Sequence, residues 1–106
     1  MNNEQFRQGD LLIIRDDNAS IKDLPKQPKD NGRCILAYGE VTGHAHAIHT
    51  DAVMHGEEVG NGGVLVVNND GDLVHEEHDT IKLKKGRYRV IRQREYRRGE
   101  IINVAD

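Results

Sequence analysis

The sequence predicts an all-β protein, a small antiparallel barrel or sandwich built as a single domain over residues 1–106. Three observations point there. Short apolar runs rich in branched residues recur along the chain, among them Leu11-Leu12-Ile13-Ile14, Cys34-Ile35-Leu36-Ala37 and Val64-Leu65-Val66-Val67. Turn signals such as Asn31-Gly32, Asp70-Gly71 and Gly86 separate them at short intervals, the spacing of antiparallel strands. No stretch carries the apolar period of a three-turn amphipathic helix, and no internal repeat is present.

Residues 1–9 read as a loose lead-in. Residues 10–15 read as the first strand, stopped by Asp16-Asp17-Asn18. Residues 19–24 suit one helical turn capped by Asn18 or Ser20. Pro25 and Pro28 mark an exposed connection that ends at Asn31-Gly32. Residues 33–38 form the second strand, and Gly39 marks a bend or bulge after it. Beyond it, Glu40, Thr42, His44 and His46 recur at every second position. A strand sets these four in one row and turns Val41, Gly43, Ala45 and Ala47 to the other face. Ala52–His55 reads as a short strand, residues 56–63 as an acidic, glycine-rich hairpin tip, and residues 63–68 as an apolar strand covered on both faces. Asn69-Asp70-Gly71 carries a turn signal. Residues 73–75 and 80–83 read as strands around the interruption Glu76-Glu77-His78-Asp79. Lys84-Lys85-Gly86 turns the chain, residues 87–96 return, and Ile101-Ile102 close it as an edge strand.

Composition narrows the class. Hydrophobic residues are 36% and tryptophan is absent. That leaves a thin core, or a core completed by a partner subunit in a homo-oligomer. Cys34 is the only cysteine, so no internal disulfide can form and a reducing, cytoplasmic setting is expected. Within the apolar run the thiol reads as buried and inert. No segment approaches the ~18 apolar residues of a membrane span, and the N-terminus lacks the apolar region of a signal peptide.

The chemistry is concentrated in one third of the chain. All six histidines, His44, His46, His49, His55, His75 and His78, fall within residues 44–78. His44 and His46 on one strand face present two adjacent imidazoles, a common start to a metal site. A hairpin that folds the His75–His78 loop onto that strand assembles three or four. The candidate ligands of a divalent ion, zinc by default for a histidine-rich set, are therefore His44, His46, His75 and His78. Glu40 would be a ligand, an orienting group, or the general base of a metal-dependent hydrolase. His49 has the opposite parity and points away. The competing readings are histidines hydrogen-bonded in the core or lying on the surface, and acid–base work without a metal. Ser20 is the only serine, so a nucleophile in a recognisable setting is missing.

Residues 82–98 hold nine Lys or Arg against Glu95 alone, a local +8 in a chain of net charge −3. Arg87, Arg89, Arg92 and Arg94, interleaved with tyrosine, suit a nucleotide or RNA ligand through phosphate pairing and base stacking. The plainer alternative is cross-strand pairing with the acidic remainder of the chain. Arginines on both faces mark an edge strand, or one facing an acidic neighbour. The 56–63 loop lacks the Lys-Ser/Thr ending and following helix of a phosphate loop.

The blocks GEVTGHAH, HEEH and RQREY, in that order, resemble a family of small uncharacterised proteins of bacterial and phage genomes, over roughly residues 9–106. The resemblance implies one compact domain and no particular activity. A non-catalytic self-assembling or accessory module of phage type is accordingly a second functional expectation, by sheet extension or ring formation. His44 and His46 also resemble the first part of the cupin metal motif. Where that motif continues with a glutamate this chain has Thr50-Asp51, and the later Pro-Gly-His block is missing.

Overall fold

Branched and aromatic residues at alternating positions set the strands, and the side on which each strand turns its apolar set determines the layers. The computed structural model describes residues 4–39, 43–58, 60–97 and 100–103, the last two strands by their backbone alone. In chain order the strands are β1 (Gln5–Gln8), β2 (Leu11–Arg15), β3 (Cys34–Tyr38), β4 (Ala45–Ile48), β5 (Ala52–His55), β6 (Gly63–Val67), β7 (Gly71–Val74), β8 (Ile81–Leu83), β9 (Gly86–Arg92), β10 (Arg94–Arg97) and β11 (Glu100–Asn103). One sheet runs β1-β2-β9-β6-β5, a second β3-β4-β7-β8, and β10 pairs with β11 alone. Every pairing is antiparallel.

Successive hairpins alternate between the two large sheets. β1-β2 and β5-β6 belong to the first, β3-β4 and β7-β8 to the second, and β9 returns between β2 and β6. The tips of the first and third hairpins meet at Arg92, which bonds Asp10 and Gly60 O, while the connection from β2 to β3 runs along β5, with Gln27 N–H on Met54 O and Gly56 N–H on Pro25 O. Leu11, Ile13, Leu65, Val67, Tyr88 and Val90 from one sheet meet Cys34, Leu36, Ile48, Leu73 and Leu83 from the other in a single core. Burial of each large apolar side chain there contributes about 1.5–3 kcal/mol. The fold class read from the sequence holds: the protein is all-β, with two antiparallel sheets sharing a core and no closed barrel. Among the described residues no helix is long and apolar enough to cross a membrane.

The expected elements shift in several places, each for a local reason. Residues 5–8 are not a loose lead-in but β1, because Gly9 at φ +58° supplies the positive angle that a two-residue hairpin turn with Asp10 requires. The helical turn at 19–24 does not form. Asp16 Oδ1 and Ser20 Oγ take the amides of Asn18 and Lys22, at 3.1 Å each, in local turns that compete with a helix. The segment through His44 and His46 is not one long strand, since the chain reverses between Tyr38 and Ala45, which pair across β3 and β4. The register irregularity lies between Ile35 and Ala37 rather than at Gly39. The turn signals at 69–71 and 84–86 carry the chain from one sheet to the other instead of closing hairpins. The arginine-rich return divides at Gln93 into β9 and β10. β9 is central rather than an edge, with Tyr88 and Val90 in the core and Arg87 and Arg89 turned to the opposite face.

Candidate functional site

Two hairpin tips of the four-stranded sheet converge on a histidine cluster. The β3–β4 tip bends through Gly43 at φ +87° and is closed by a 2.9 Å bond from Gly39 N–H to His44 O. His44 immediately precedes β4 and His46 lies within it, so the two keep the shared face that their spacing predicts. The β7–β8 connection brings in His75 and His78. The ring centroids of His46 and His75 lie 4.3 Å apart, and those of His75 and His78 4.6 Å apart. His75 thus touches both other rings, which lie 6.2 Å apart with nearly parallel planes, so the three centroids form a triangle with His75 at its corner. His44 is set edge-on to His75 at 5.6 Å. All four candidate histidines come together.

Within this cluster one subset is tightest. Ligand atoms of His44, His75 and Glu76 lie within 4.8 Å of one another. Glu76 Oε1 accepts the Ala45 amide at 2.9 Å, tying one tip to the other. That bond, chiefly, holds the Glu76 carboxyl below its usual range, and the nearby His44 and His75 add to the effect. His75 Nδ1 accepts the Glu77 amide at 3.0 Å. His44 Nδ1 faces Glu77 Oε2 at 3.8 Å. His44 Nδ1 and His78 Nε2 are buried without a hydrogen-bond partner among the described residues. Gly39 makes room for the rings: a Cβ there would stand 3.0 Å from His44 Cβ and 3.3 Å from His75 Nε2.

Behind the rings lies a polar layer that the sequence did not reveal. Gln8, Asp10 and His46 are all buried at the end of the sandwich. Gln8 Nε2 donates to Leu73 O at 3.0 Å and Asp79 O at 2.9 Å, and Gln8 Oε1 meets His46 Nδ1 at 2.8 Å. Among the described residues, Asp10 meets two basic groups, Arg92 and His46. Its Oδ2 accepts from Arg92 Nε at 2.5 Å, and its Oδ1 lies 3.6 Å from His46 Nε2, a contact that is attractive when the ring is protonated. The one local signal that could have found β1, though not the burial of Gln8, is Gly9-Asp10 ahead of the branched run 11–14, a two-residue hairpin turn.

The other expected site residues fall elsewhere. Glu40 lies outside the described residues, as does the side chain of Arg94. Arg87 Nη1 donates to Ala19 O at 2.8 Å, and Arg89 Nε pairs with Asp16 Oδ2 at 3.3 Å. Arg92 turns inward to Asp10. Each of these three arginines is therefore engaged with the chain itself. His49 is exposed, and His55 is buried on β5 in the other sheet. Cys34 is buried, and that burial pushes its thiol up, away from the reactive thiolate.

A family described as a domain of unknown function, DUF8820, matches residues 7–93. The chain belongs to that family. No curated protein and no solved structure matches it. The DUF8820 span opens at Arg7 and ends at Gln93, two residues whose side chains are hydrogen-bonded to each other. It thus takes in Gln8, Asp10, Arg92 and all six histidines, and leaves the β10–β11 hairpin outside.

Proposed function

We propose that the tip end of the sandwich binds a divalent metal ion, with His44, His75 and Glu76 as its ligands. The observation that carries this reading is the 4.8 Å grouping of those three ligand atoms from two separate hairpin tips. In a tetrahedral zinc site with N and O ligands at about 2.0–2.1 Å, the ligand atoms stand about 3.4 Å apart. Small side-chain rotations would close the remaining gap. The buried His44 Nδ1, which has no hydrogen-bond partner among the described residues, favours the same reading, because a buried polar group without a partner costs about 1–3 kcal/mol. Exposed Glu57, Glu58, Glu76 and Glu77 on the tips make this end attractive to a cation and unfavourable for a phosphate.

Zinc suits two imidazoles and a carboxylate. Three protein ligands leave a fourth position, the arrangement in which zinc activates a water for hydrolysis. Ligation by His75 has a structural consequence. With Nδ1 accepting from the Glu77 amide, the ring hydrogen of neutral His75 is on Nε2. A metal bound at Nε2 would require that hydrogen to be carried on Nδ1 instead, and the bond from the Glu77 amide would then be lost. Titrating the metal-free protein with zinc tests the proposal. One saturable site per chain is expected, weakened at least about tenfold by His44→Ala or His75→Ala and unchanged by His49→Ala. Binding that is weak and unsaturable, or equal in all variants, would end it.

A further inference from the structure

We infer that Gln8 is the positioning residue of this site, holding the His75–His78 loop closed and fixing which nitrogen of His46 carries hydrogen. Its effect on metal affinity rests on the proposed metal site; its effect on loop and ring does not. Gln8 is 2% exposed and lies on the first hairpin, in the sheet opposite the histidines. Its two N–H groups reach Leu73 O and Asp79 O, carbonyls on either side of the segment that carries His75, Glu76, Glu77 and His78. One buried amide therefore grips both ends of the ligand-bearing loop across the sandwich.

The orientation of that amide is dictated by its neighbours. Reversed, it would set Oε1 against two carbonyl oxygens, with repulsion at both contacts. Oε1 consequently faces His46 Nδ1 at 2.8 Å. A carbonyl oxygen only accepts, so Nδ1 of His46 must be the donor. The ring is held with its hydrogen on Nδ1 and its Nε2 edge toward Asp10. His46 in turn packs against the His75 ring, centroids 4.3 Å apart and planes tilted by 33°. No other side chain of this length supplies both functions. Glutamate keeps the acceptor for His46 and loses the two donors; methionine keeps the shape and loses everything else.

Those two substitutions separate the roles in the full-length chain. Imidazole ¹⁵N–¹H correlation spectra should show His46 protonated on Nδ1 in the unmodified protein and in Gln8→Glu, with that preference lost in Gln8→Met. Amide exchange at Glu76, Glu77 and His78 should accelerate in both variants, by at least about tenfold, the equivalent of one buried hydrogen bond. Zinc binding should weaken in both. His46 found protonated on Nε2 alone in the unmodified protein overturns the inference, whether or not either variant folds. Loop exchange unchanged in both variants overturns it as well. If the unmodified protein takes up no zinc while the ring and loop behave as stated, the metal proposal fails and the role of Gln8 stands.

Discussion

Removing the carboxylate of Asp10 should unfold a large share of the population under mild denaturant. Asp10 is fully buried, and the Arg92 side chain that it pairs with is 13% exposed. The other acceptors of the guanidinium, Gly60 O and Tyr38 O, stand at 3.3 and 3.4 Å, so the 2.5 Å contact with Asp10 is its principal compensation. Asp10→Ala leaves that cation, still tethered on β9, largely out of water. Breaking one partner of a buried pair costs about 3–5 kcal/mol. A domain of this size has about 5–15 kcal/mol in total. With a urea m-value of about 1.5 kcal/mol/M, the midpoint should fall by about 2–3 M. The double variant Asp10→Ala/Arg92→Met removes both charges and should recover most of the loss, since replacing a whole buried pair is often neutral. Equilibrium urea unfolding of the single and double variants measures the coupling. A loss below about 1 kcal/mol for Asp10→Ala, or a double variant as unstable as the two singles summed, would refute the pairing.

Three further outcomes follow from the geometry. Gly63→Ala should cost more than about 3 kcal/mol and depress the melting temperature sharply, because its Cβ would stand 2.1 Å from His55 O at φ +144°; a melting temperature close to that of the parent would contradict this. Gly39→Ala should cost about 1–3 kcal/mol by crowding His44 and His75, and should weaken zinc binding; unaltered stability and affinity would show that the rings have slack. Glu76 is held below its ordinary value of 4.5 in the folded state, so its contribution to stability is present above the unfolded pKa and is lost as pH falls through the folded value. Glu76 is exposed, so that contribution is below about 1 kcal/mol. Urea midpoints on either side of this window should show a slightly smaller acid-side loss for Glu76→Gln than for the parent, and identical losses would remove the Ala45 bond as the cause.

The strands were legible because alternation and branched runs are local signals: Leu11 and Ile13, or Tyr88 and Val90, declare one face within a few residues. The convergence of His44 and His46 with His75 and His78 was legible for the same reason, given a hairpin to bring them together. Sheet assignment was not. The turn signals at Asp70-Gly71 and Lys85-Gly86 are compatible with a hairpin or a crossover, and the choice depends on which sheet needs the following apolar face. The polar layer was least visible. Gln8 meets His46 across 38 residues and Leu73 across 65, and Asp10 meets Arg92 across 82. Nothing near Gln8 in the chain shows that its amide is buried. Arg92 was read with Arg87, Arg89 and Arg94 as a phosphate contact or as a partner for the acidic remainder of the chain; which carboxylate it meets was not visible, because Asp10 sits on the first hairpin. Glu76 lay between two candidate histidines, and its place beside His44 follows from the Ala45 amide that it captures.

X-ray absorption at the zinc edge of the zinc-loaded protein tests the ligand set most directly. The expected spectrum has a single N/O shell at about 2.0–2.1 Å with the multiple scattering of two imidazoles, reduced in His44→Ala and in His75→Ala. A spectrum of hydrated zinc without imidazole scattering, or one that neither substitution changes, would contradict a metal centre built from His44, His75 and Glu76.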